Sequence, residues 1–539
     1  MLKRLLPSFL ILFLLTSCAS PSPTIDSATP TLSTPEPDST DWWRTAIFYE
    51  IFVRSFYDSD ADGIGDFNGI TQKLDYLQSL GITALWLMPI HPSPSYHGYD
   101  VINYYAVNTE YGTMADFKNL LHEAHKRDMR IIIDLVINHT SSEHPWFKDA
   151  NANIDSPYRD FYIWSNETGV GNWHQGQNGY YYGYFWGGMP DLNYRNPNVT
   201  TAMLNITNYW LNEIGIDGFR IDAVKHLIEE DGKVENTPAT HEWLKDFYIA
   251  YKAQKPQTYA IGEVFGAGSS IVKQYTGSEL DHIFNFEMSA GFVNSPNGGS
   301  NSSINSAIKF AYQDMPDFNF ATFLTNHDQN RVMSVFNGNI HKAKLASFLM
   351  LTSAGTPYLY YGEEIGMQGE KPDEDIRLPM QWSADEFAGF STVQAWRGPY
   401  TDARNPQFDY TQVNVELQTG DSTSLLEHYR TLIQLRKLNP TLQTGDTILL
   451  ATDNSGIYAV LRKDTNGTFL ILANLKDEAI SDYAIDLNEA NLVESTISVE
   501  TVFGENQAQS PQRSAGVFNP YKPFESLSSY AMYILKINQ

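Results

Sequence analysis

The chain has 539 residues, of which 42% are hydrophobic and 18% charged, and it is long enough for two or three domains. Its formal net charge is −27, so most of the surface repels a polyanion, and we expect no nucleic-acid partner. The only cysteine is Cys18, which excludes a disulfide within the chain.

The first twenty residues carry the features of an export signal. Lys3 and Arg4 precede an apolar run over 5–15 that is too short to span a bilayer. The run ends at Leu15-Thr16-Ser17-Cys18, which resembles the lipobox of bacterial lipoproteins. We therefore predict a lipoprotein signal peptide over 1–18, lipidation at Cys18, and export to the outer face of a bacterial membrane. An ordinary secretory signal with an incidental cysteine is the alternative.

Residues 19–40, rich in Ser, Thr and Pro, are predicted to be a flexible linker. From Asp41 on, short apolar runs typical of buried strands alternate with amphipathic, helix-like segments. The eight predicted strands are Ile47–Val53, Ala84–Met88, Arg130–Ile137, Ile216–Ile221, Tyr259–Val264, His282–Phe286, Phe320–Thr325 and Tyr358–Tyr361. This alternation predicts an α/β fold, a (β/α)8 TIM barrel over 41–138 and 199–440, with catalytic side chains at the C-terminal ends of its strands.

Two other regions flank or interrupt the predicted barrel. Residues 139–198 are long, aromatic and irregular, which indicates a small inserted domain after the third strand. Residues 441–539 follow a helical stripe that ends at Asn439-Pro440 and are predicted to form a C-terminal antiparallel β domain, interpreted as a β-sandwich. Gly291–Ser303, rich in Asn, Gly and Ser, is expected to be a surface loop.

The stretch from Asp217 to His226 is the most informative for function. A helix-like segment feeds a short buried strand here, and side chains two apart on a strand share a face, so Arg220 and Asp222 project the same way. A cation beside Asp222 favours the ionised form that a nucleophile on a sugar acetal requires. An ion pair that only fixes the strand end is the alternative for this pair alone.

Two more acidic residues stand at predicted strand ends. Glu263 follows the fifth strand and Asp328 the seventh, so three carboxylates are expected to meet at one rim of the barrel. Like charges brought together raise at least one pKa, and a Glu263 that holds its proton can serve as acid and later as base. This is the division of roles in a retaining glycosidase.

Several motifs, in this order, resemble those of the α-amylase family of glycoside hydrolases, in the branch intermediate between the oligo-1,6-glucosidase and neopullulanase groups. They are Asp134–His139, Met189–Asn193, Gly218–His226, Gly262-Glu263, Asn326–Asp328 and Pro357–Glu363. The resemblance implies that Asp222 is the nucleophile, Glu263 the general acid/base and Asp328 the residue that stabilises the transition state. It also implies substrate contacts from Tyr99, His139, Arg220, Lys225, His226 and His327.

The same resemblance bears on specificity. Related exo-acting α-glucosidases carry an acidic residue where this chain has Tyr96, and α-1,6-selective relatives tend to carry Val where it has Ala223. Both differences favour an α-amylase that cleaves internal α-1,4 bonds of starch, glycogen and malto-oligosaccharides. An α-glucosidase or a neopullulanase/cyclomaltodextrinase-like enzyme with transglycosylation is the alternative. A non-catalytic sugar-binding surface lipoprotein is a remote one.

An acidic loop follows the first predicted strand, with carboxylates at alternate positions that suit a hard cation: Asp58, Asp60, Asp62 and Asp66. The resemblance implies that these residues and the Ile64 carbonyl bind Ca²⁺, and a solvated acidic loop is the alternative. Asn138 resembles a ligand of a second calcium site between barrel and insert. We expect a monomer that binds an α-glucan or malto-oligosaccharide substrate and contacts the membrane only through its lipid.

Overall fold

The computed structural model describes residues 40–167, 171–490, 492 and 497–538. The predicted signal peptide, the lipid site at Cys18 and the linker up to residue 39 lie outside these residues. Within the described part of the chain, no helix is both long and apolar enough to cross a membrane.

Eight parallel strands close into a barrel, in the order β1-β11-β10-β9-β8-β7-β3-β2, and the other strands of the described residues lie in three smaller sheets. In chain order the strands are β1 Phe48–Ile51, β2 Ala84–Leu87, β3 Arg130–Leu135, β4 Trp164–Ser165, β5 Trp173–Gly176, β6 Gly179–Tyr182, β7 Gly218–Ile221, β8 Tyr259–Gly262, β9 His282–Phe284, β10 Phe320–Thr322, β11 Thr356–Tyr360, β12 Asp446–Leu449, β13 Ile457–Lys463, β14 Thr468–Asn474, β15 Ser498–Phe503, β16 Arg513–Ser514, β17 Val517–Phe518 and β18 Met532–Asn538. The predicted (β/α)8 barrel is confirmed, and most of its strands are shorter than predicted.

Helices surround the barrel and cover its apolar outer face. They are α1 Phe67–Leu80, α2 Met114–His125, α3 Pro145–Ala152, α4 Pro197–Asn208, α5 Pro238–Gln254, α6 Ser269–Val272, α7 Phe286–Gly298, α8 Ser302–Asp314, α9 Val332–Val335, α10 Ile340–Thr352, α11 Asp373–Ile376, α12 Val415–Gln418, α13 Leu425–Leu438 and α14 Pro440–Thr444. In α1, the Asp66 side chain caps the first turn and Gly81, with φ of 98°, ends the helix. Its buried residues Ile70, Leu74 and Leu77 recur at helical spacing, as the sequence pattern predicts.

The insert between β3 and β7 contains a three-stranded sheet in the order β4-β6-β5. It joins the barrel rim through an antiparallel bridge between His139 and Asp191. At the other end of the chain, five strands form an antiparallel sheet in the order β12-β13-β14-β18-β15, with a separate two-stranded sheet of β16 and β17. The predicted C-terminal antiparallel β domain is therefore confirmed.

The prediction of a surface loop over Gly291–Ser303 is wrong, because α7 and α8 occupy most of that segment. The Asn285 side chain caps α7 by accepting a hydrogen bond from the backbone of Met288. A Cβ added at Gly291 would lie 3.1 Å from the Ala307 Cβ on α8. The glycine is thus a close-packing position between two helices, and a composition rich in Asn, Gly and Ser misled the prediction.

Candidate active site

A buried arginine organises the acidic residues at the C-terminal rim of the barrel. Arg220, on β7, is 1% exposed. Its Nη1 donates to Asp134 Oδ1 at 2.9 Å and to Asp222 Oδ1 at 2.6 Å, and its Nη2 donates to Glu263. One guanidinium therefore contacts three carboxylates that come from the neighbouring strands β3, β7 and β8. Arg220 and Asp222 meet on one face, as strand geometry predicts.

Asp328, after β10, lies between two cationic groups. Its Oδ2 is 3.1 Å from His327 Nε2, and its Oδ1 is 3.0 Å from Arg377 Nη2. Burial alone would raise the pKa of Asp328, but His327 and, more weakly, Arg377 and Arg220 outweigh it, so the pKa lies below its usual range. Asp328 is therefore held as a carboxylate.

His327 is the buried cation of this group. Its Nδ1 lies 2.5 Å from Glu50 Oε1, and its Nε2 lies 2.8 Å from the Tyr99 hydroxyl. Burial acts to lower the pKa of His327, but the adjacent carboxylates of Asp328 and Glu50 raise it to about 10. The ring therefore carries two N–H donors at neutral pH.

Glu263 has the opposite environment. Burial raises its pKa to about 7; Arg220 acts to lower it, whereas Asp328 and Asp222 raise it further. Below neutral pH this carboxyl holds a proton close to the carboxylate of Asp328. Two acidic groups of one site are thus driven to different protonation states, the pattern that general acid catalysis needs.

A cavity of about 590 Å³ opens at this rim of the barrel. The predicted site residues that face it are Tyr99, His139, Asp222, Lys225, His226, Glu263 and Asp328. Arg220 and His327 lie behind this lining and contact it. The three predicted catalytic carboxylates therefore share one cleft.

The predicted substrate-contacting residues are fixed by the barrel and the insert. The Tyr99 ring stacks on His327 at a centroid distance of 5.7 Å, and His139 Nε2 is 3.1 Å from the Tyr99 carbonyl oxygen. Lys225 Nζ donates to the Phe265 carbonyl at 3.0 Å. The His226 ring stacks on Tyr184 of the insert at 4.0 Å. The insert thus forms one wall of the cleft.

Several residues of the site were not predicted from the sequence. Arg377 lies just after α11, and no motif marked it. Glu50 is a charged residue within an apolar strand, which is the signal that could have found it. Phe185 and Phe265 line the cleft with 47% and 52% of their surface exposed, and only the aromatic run 180–186 hinted at the first.

The acidic loop between β1 and α1 brings carboxylates together. Oxygens of Asp58, Asp60 and Asp66 lie within 4.8 Å of one another. Asp62 lies outside this group, and its Oδ1 accepts from the Ile64 backbone N–H at 2.8 Å. Burial raises the pKa of Asp60, and so do the neighbouring carboxylates of Asp62 and Asp58. A bound cation would offset this repulsion between like charges. Three carboxylates at this spacing fit a hard, oxygen-binding cation.

A second polar group lies where the insert meets the barrel. Asn138 Oδ1 and Asp191 Oδ2 are buried, and neither accepts a hydrogen bond from a described residue. Burial, together with Glu229, raises the pKa of Asp191 well above its usual range. Buried oxygens without donors are costly unless a further group satisfies them, and a cation fits that need.

Acidic residues around a buried arginine, at the C-terminal rim of a closed (β/α)8 barrel, define the site of a glycoside hydrolase. Residues 50–445 match the family model of the alpha amylase catalytic domain. Alpha-amylase 3 of Dictyoglomus thermophilum is 42% identical over 441 residues, which are 80% of this chain and 85% of that protein. The chain belongs to the α-amylase family of glycoside hydrolases.

Other relatives span more than one specificity. An oligo-1,6-glucosidase of Halalkalibacterium halodurans is 32% identical over 518 residues, covering 81% of this chain and 91% of that protein. The crystal structure of an alpha-amylase from H. orenii has a TM-score of 0.78 and 36% identity, and the match covers 92% of this chain and 99% of that one. Similarity to alpha-amylases and also to an oligo-1,6-glucosidase is what membership of the predicted intermediate branch implies.

Proposed function

We propose that this protein is an α-amylase that hydrolyses internal α-1,4-glucosidic bonds of starch, glycogen and malto-oligosaccharides with retention of configuration. The observation that carries the proposal is the common cleft of Asp222, Glu263 and Asp328 around Arg220. Because Asp222 and Glu263 both accept from one guanidinium, they lie close together, as a retaining mechanism requires.

The protonation states assign the roles. Glu263, with its raised pKa, gives its proton to the glycosidic oxygen while Asp222 attacks the anomeric carbon, which breaks the bond and forms a glycosyl-enzyme. Glu263, now ionised, then takes a proton from water, whose oxygen displaces Asp222. The anionic Asp328 stabilises the positive charge that develops on the sugar ring in both steps.

Action on internal bonds is supported by Tyr96 and by two aromatic rings that line the cleft. Tyr96 occupies the position where exo-acting relatives hold an acid, and its ring stacks on Trp396 at 5.5 Å. The exposed rings of Phe185 and Phe265 offer apolar surfaces for further sugar units of a long chain.

The second candidate is an α-glucosidase or a neopullulanase/cyclomaltodextrinase-like enzyme that also transfers glucosyl groups. The similarity to an oligo-1,6-glucosidase over most of both chains favours it. The two candidates share the catalytic residues and differ in the bonds they release, so only products distinguish them.

The discriminating experiment is a product profile over time on soluble starch, pullulan, cyclodextrin and maltotriose. An α-amylase lowers the iodine colour of starch early and releases mixed oligosaccharides, whereas an α-glucosidase releases glucose with a slow loss of colour. The Asp222→Asn variant, folded by circular dichroism, must lose hydrolysis by at least about 10⁴-fold. An unchanged rate would refute the mechanism.

We propose calcium at the two polar groups described above. Asp58, Asp60 and Asp66 would hold one ion, with Asp62 and the Ile64 carbonyl completing the shell, and Asn138 and Asp191 would hold the other. Bound calcium would neutralise buried and crowded oxygens and would stiffen the loop and the base of the insert. Chelation should lower Tm, and added Ca²⁺ should restore it. An Asp60→Asn variant that keeps the full Tm response to Ca²⁺ would exclude the loop site.

We also propose that the protein is exported as a monomer and anchored through a lipid on Cys18 to the outer face of a bacterial membrane. Support for the export and the lipid anchor comes from the lipobox-like Leu15–Cys18. Metabolic labelling with a fatty acid should mark the wild type and not Cys18→Ala.

A further inference from the structure

Glu50 is a charged residue at the centre of a barrel strand. It lies on β1, is 2% exposed, and its neighbours Tyr49 and Ile51 are fully buried. Burying a carboxylate is costly unless it is paired, so its partner must supply charge. That partner is His327, 277 residues away in sequence, whose Nδ1 lies 2.5 Å from Glu50 Oε1. Glu50 does not line the cleft, so it acts through another residue.

The contacts on the other side of His327 decide its protonation. Nε2 lies 3.1 Å from Asp328 Oδ2 and 2.8 Å from the Tyr99 hydroxyl. A neutral ring with its proton on Nδ1 would accept from the Tyr99 hydroxyl at Nε2 and would leave that lone pair 3.1 Å from the Asp328 carboxylate, which is repulsive. A neutral ring with its proton on Nε2 would direct a lone pair at Glu50. Only the doubly protonated ring satisfies both carboxylates.

The ring also sets the direction of a chain of hydrogen bonds. When Nε2 donates to the Tyr99 oxygen, the Tyr99 hydroxyl is free to donate to Asp134 Oδ2, which lies 3.2 Å away. Asp134 in turn accepts from Arg220. Loss of the Nε2 proton would reverse the direction of the hydrogen bond between Tyr99 and His327, because the Tyr99 hydroxyl would then donate to Nε2.

We propose that Glu50 is a positioning residue of the active site: its buried carboxylate keeps His327 doubly protonated and thereby orients Tyr99 and the anionic Asp328 toward the sugar. The inference rests on the proposed function for its catalytic consequence and on geometry alone for its effect on the ring. The other titratable or charged groups that act on His327 or respond to it are Tyr99, Asp134, Glu263, Asp328 and Arg377.

The test compares Glu50→Gln with wild type. Gln keeps the size and the acceptor oxygen but lacks the charge, so His327 should lose a proton at a lower pH. Histidine-selective ¹⁵N labelling should show a doubly protonated His327 ring at pH 8 in the wild type and a neutral ring in E50Q, with signals assigned from a His327→Asn variant. This measurement needs no substrate.

Kinetics test the catalytic consequence. The E50Q defect in kcat/KM on maltoheptaose should grow from little at pH 5, where the ring is protonated in both proteins, to about 10- to 100-fold at pH 8, the loss of a charge-assisted hydrogen bond. Glu50→Asp, which keeps the charge, should recover part of the activity. Glu364→Gln is the matched control, because this buried carboxyl contacts Tyr49 and Tyr76 and should leave the pH profile unchanged.

Two results would overturn the inference: a neutral His327 ring at pH 8 in the wild type, or an E50Q defect of equal size at every pH. The first needs the wild type and, for the assignment of its signals, the His327→Asn variant, so an E50Q variant that fails to fold does not block the test. A wild type that hydrolyses no α-glucan would refute the proposed function and leave the ring measurement valid.

Discussion

Replacing Glu263 with Gln removes the proposed proton donor and keeps its size. Because burial raises the pKa of Glu263 to about 7, about 90% of the wild-type carboxyl is protonated at pH 6 and about 10% at pH 8. The wild-type kcat/KM on starch should therefore fall about tenfold for each pH unit above 7. A general acid contributes about 10²- to 10⁴-fold, so we expect E263Q to lose at least about 100-fold of kcat/KM at pH 6.

The choice of substrate separates a lost proton donor from a damaged site. Fluoride leaves without protonation, so kcat/KM on α-maltosyl fluoride, which reports formation of the glycosyl-enzyme, should fall less than about tenfold in E263Q. The fall in wild-type kcat/KM above pH 7 that is expected on starch should be absent when α-maltosyl fluoride is the substrate. Asp222→Asn is the control, because it should lose activity on both starch and α-maltosyl fluoride. An E263Q variant that slows both equally, or that keeps an alkaline limb near pH 7, would refute the assignment.

Two further predictions concern stability. Gly291→Val should lower the free energy of unfolding, measured in urea, by about 2–3 kcal/mol, because even a Cβ at that position lies 3.1 Å from Ala307. Gly298→Val is the control: a Cβ there meets no atom within 4 Å, so the variant should cost less than about 1 kcal/mol. Equal costs for the two variants would contradict the packing role of Gly291. Burial raises the pKa of Glu363 to about 8, above about 4.3 for an unperturbed Glu, so its stabilising effect is fully present below about pH 4.3 and is lost progressively until the pH reaches about 8. The Tm difference between Glu363→Gln and wild type should therefore increase from pH 5 to pH 9 by calorimetry, and a constant difference would contradict it.

The barrel could be predicted because its strands are short buried runs separated by amphipathic helices. The β7 strand shows why the acidic residues at the rim of the barrel could be predicted as well. Arg220 and Asp222 share a face by the period of a strand, and Asp222 comes directly after the last paired residue, Ile221. Glu263 directly follows β8, and Asp328 lies six residues beyond the last residue of β10, so position at or shortly after a strand end was enough to group three carboxylates.

The packing of α7 against α8 could not be predicted by the same means. Composition over Gly291–Ser303 reads as a loop, and the helical pattern is interrupted by Pro296 inside α7. Tertiary contact overrides this local preference, because Phe292 is fully buried and Gly291 allows α8 to approach. A rule that takes glycine as a sign that a helix ends fails where glycine is the position at which two helices pack closely.

The charges behind the cleft show a different limit. Sequence spacing places Asp328 at the rim, yet its anionic state depends on Arg377, 49 residues further along the chain, and on His327, whose own charge depends on Glu50. The links from Asp328 to Arg377 and from His327 to Glu50 join distant parts of the chain, so no local pattern encodes them. The protonation of Asp328 and that of Glu263 differ because of these partners, and the proposed division between stabilising anion and proton donor therefore depends on barrel closure more than on any single motif.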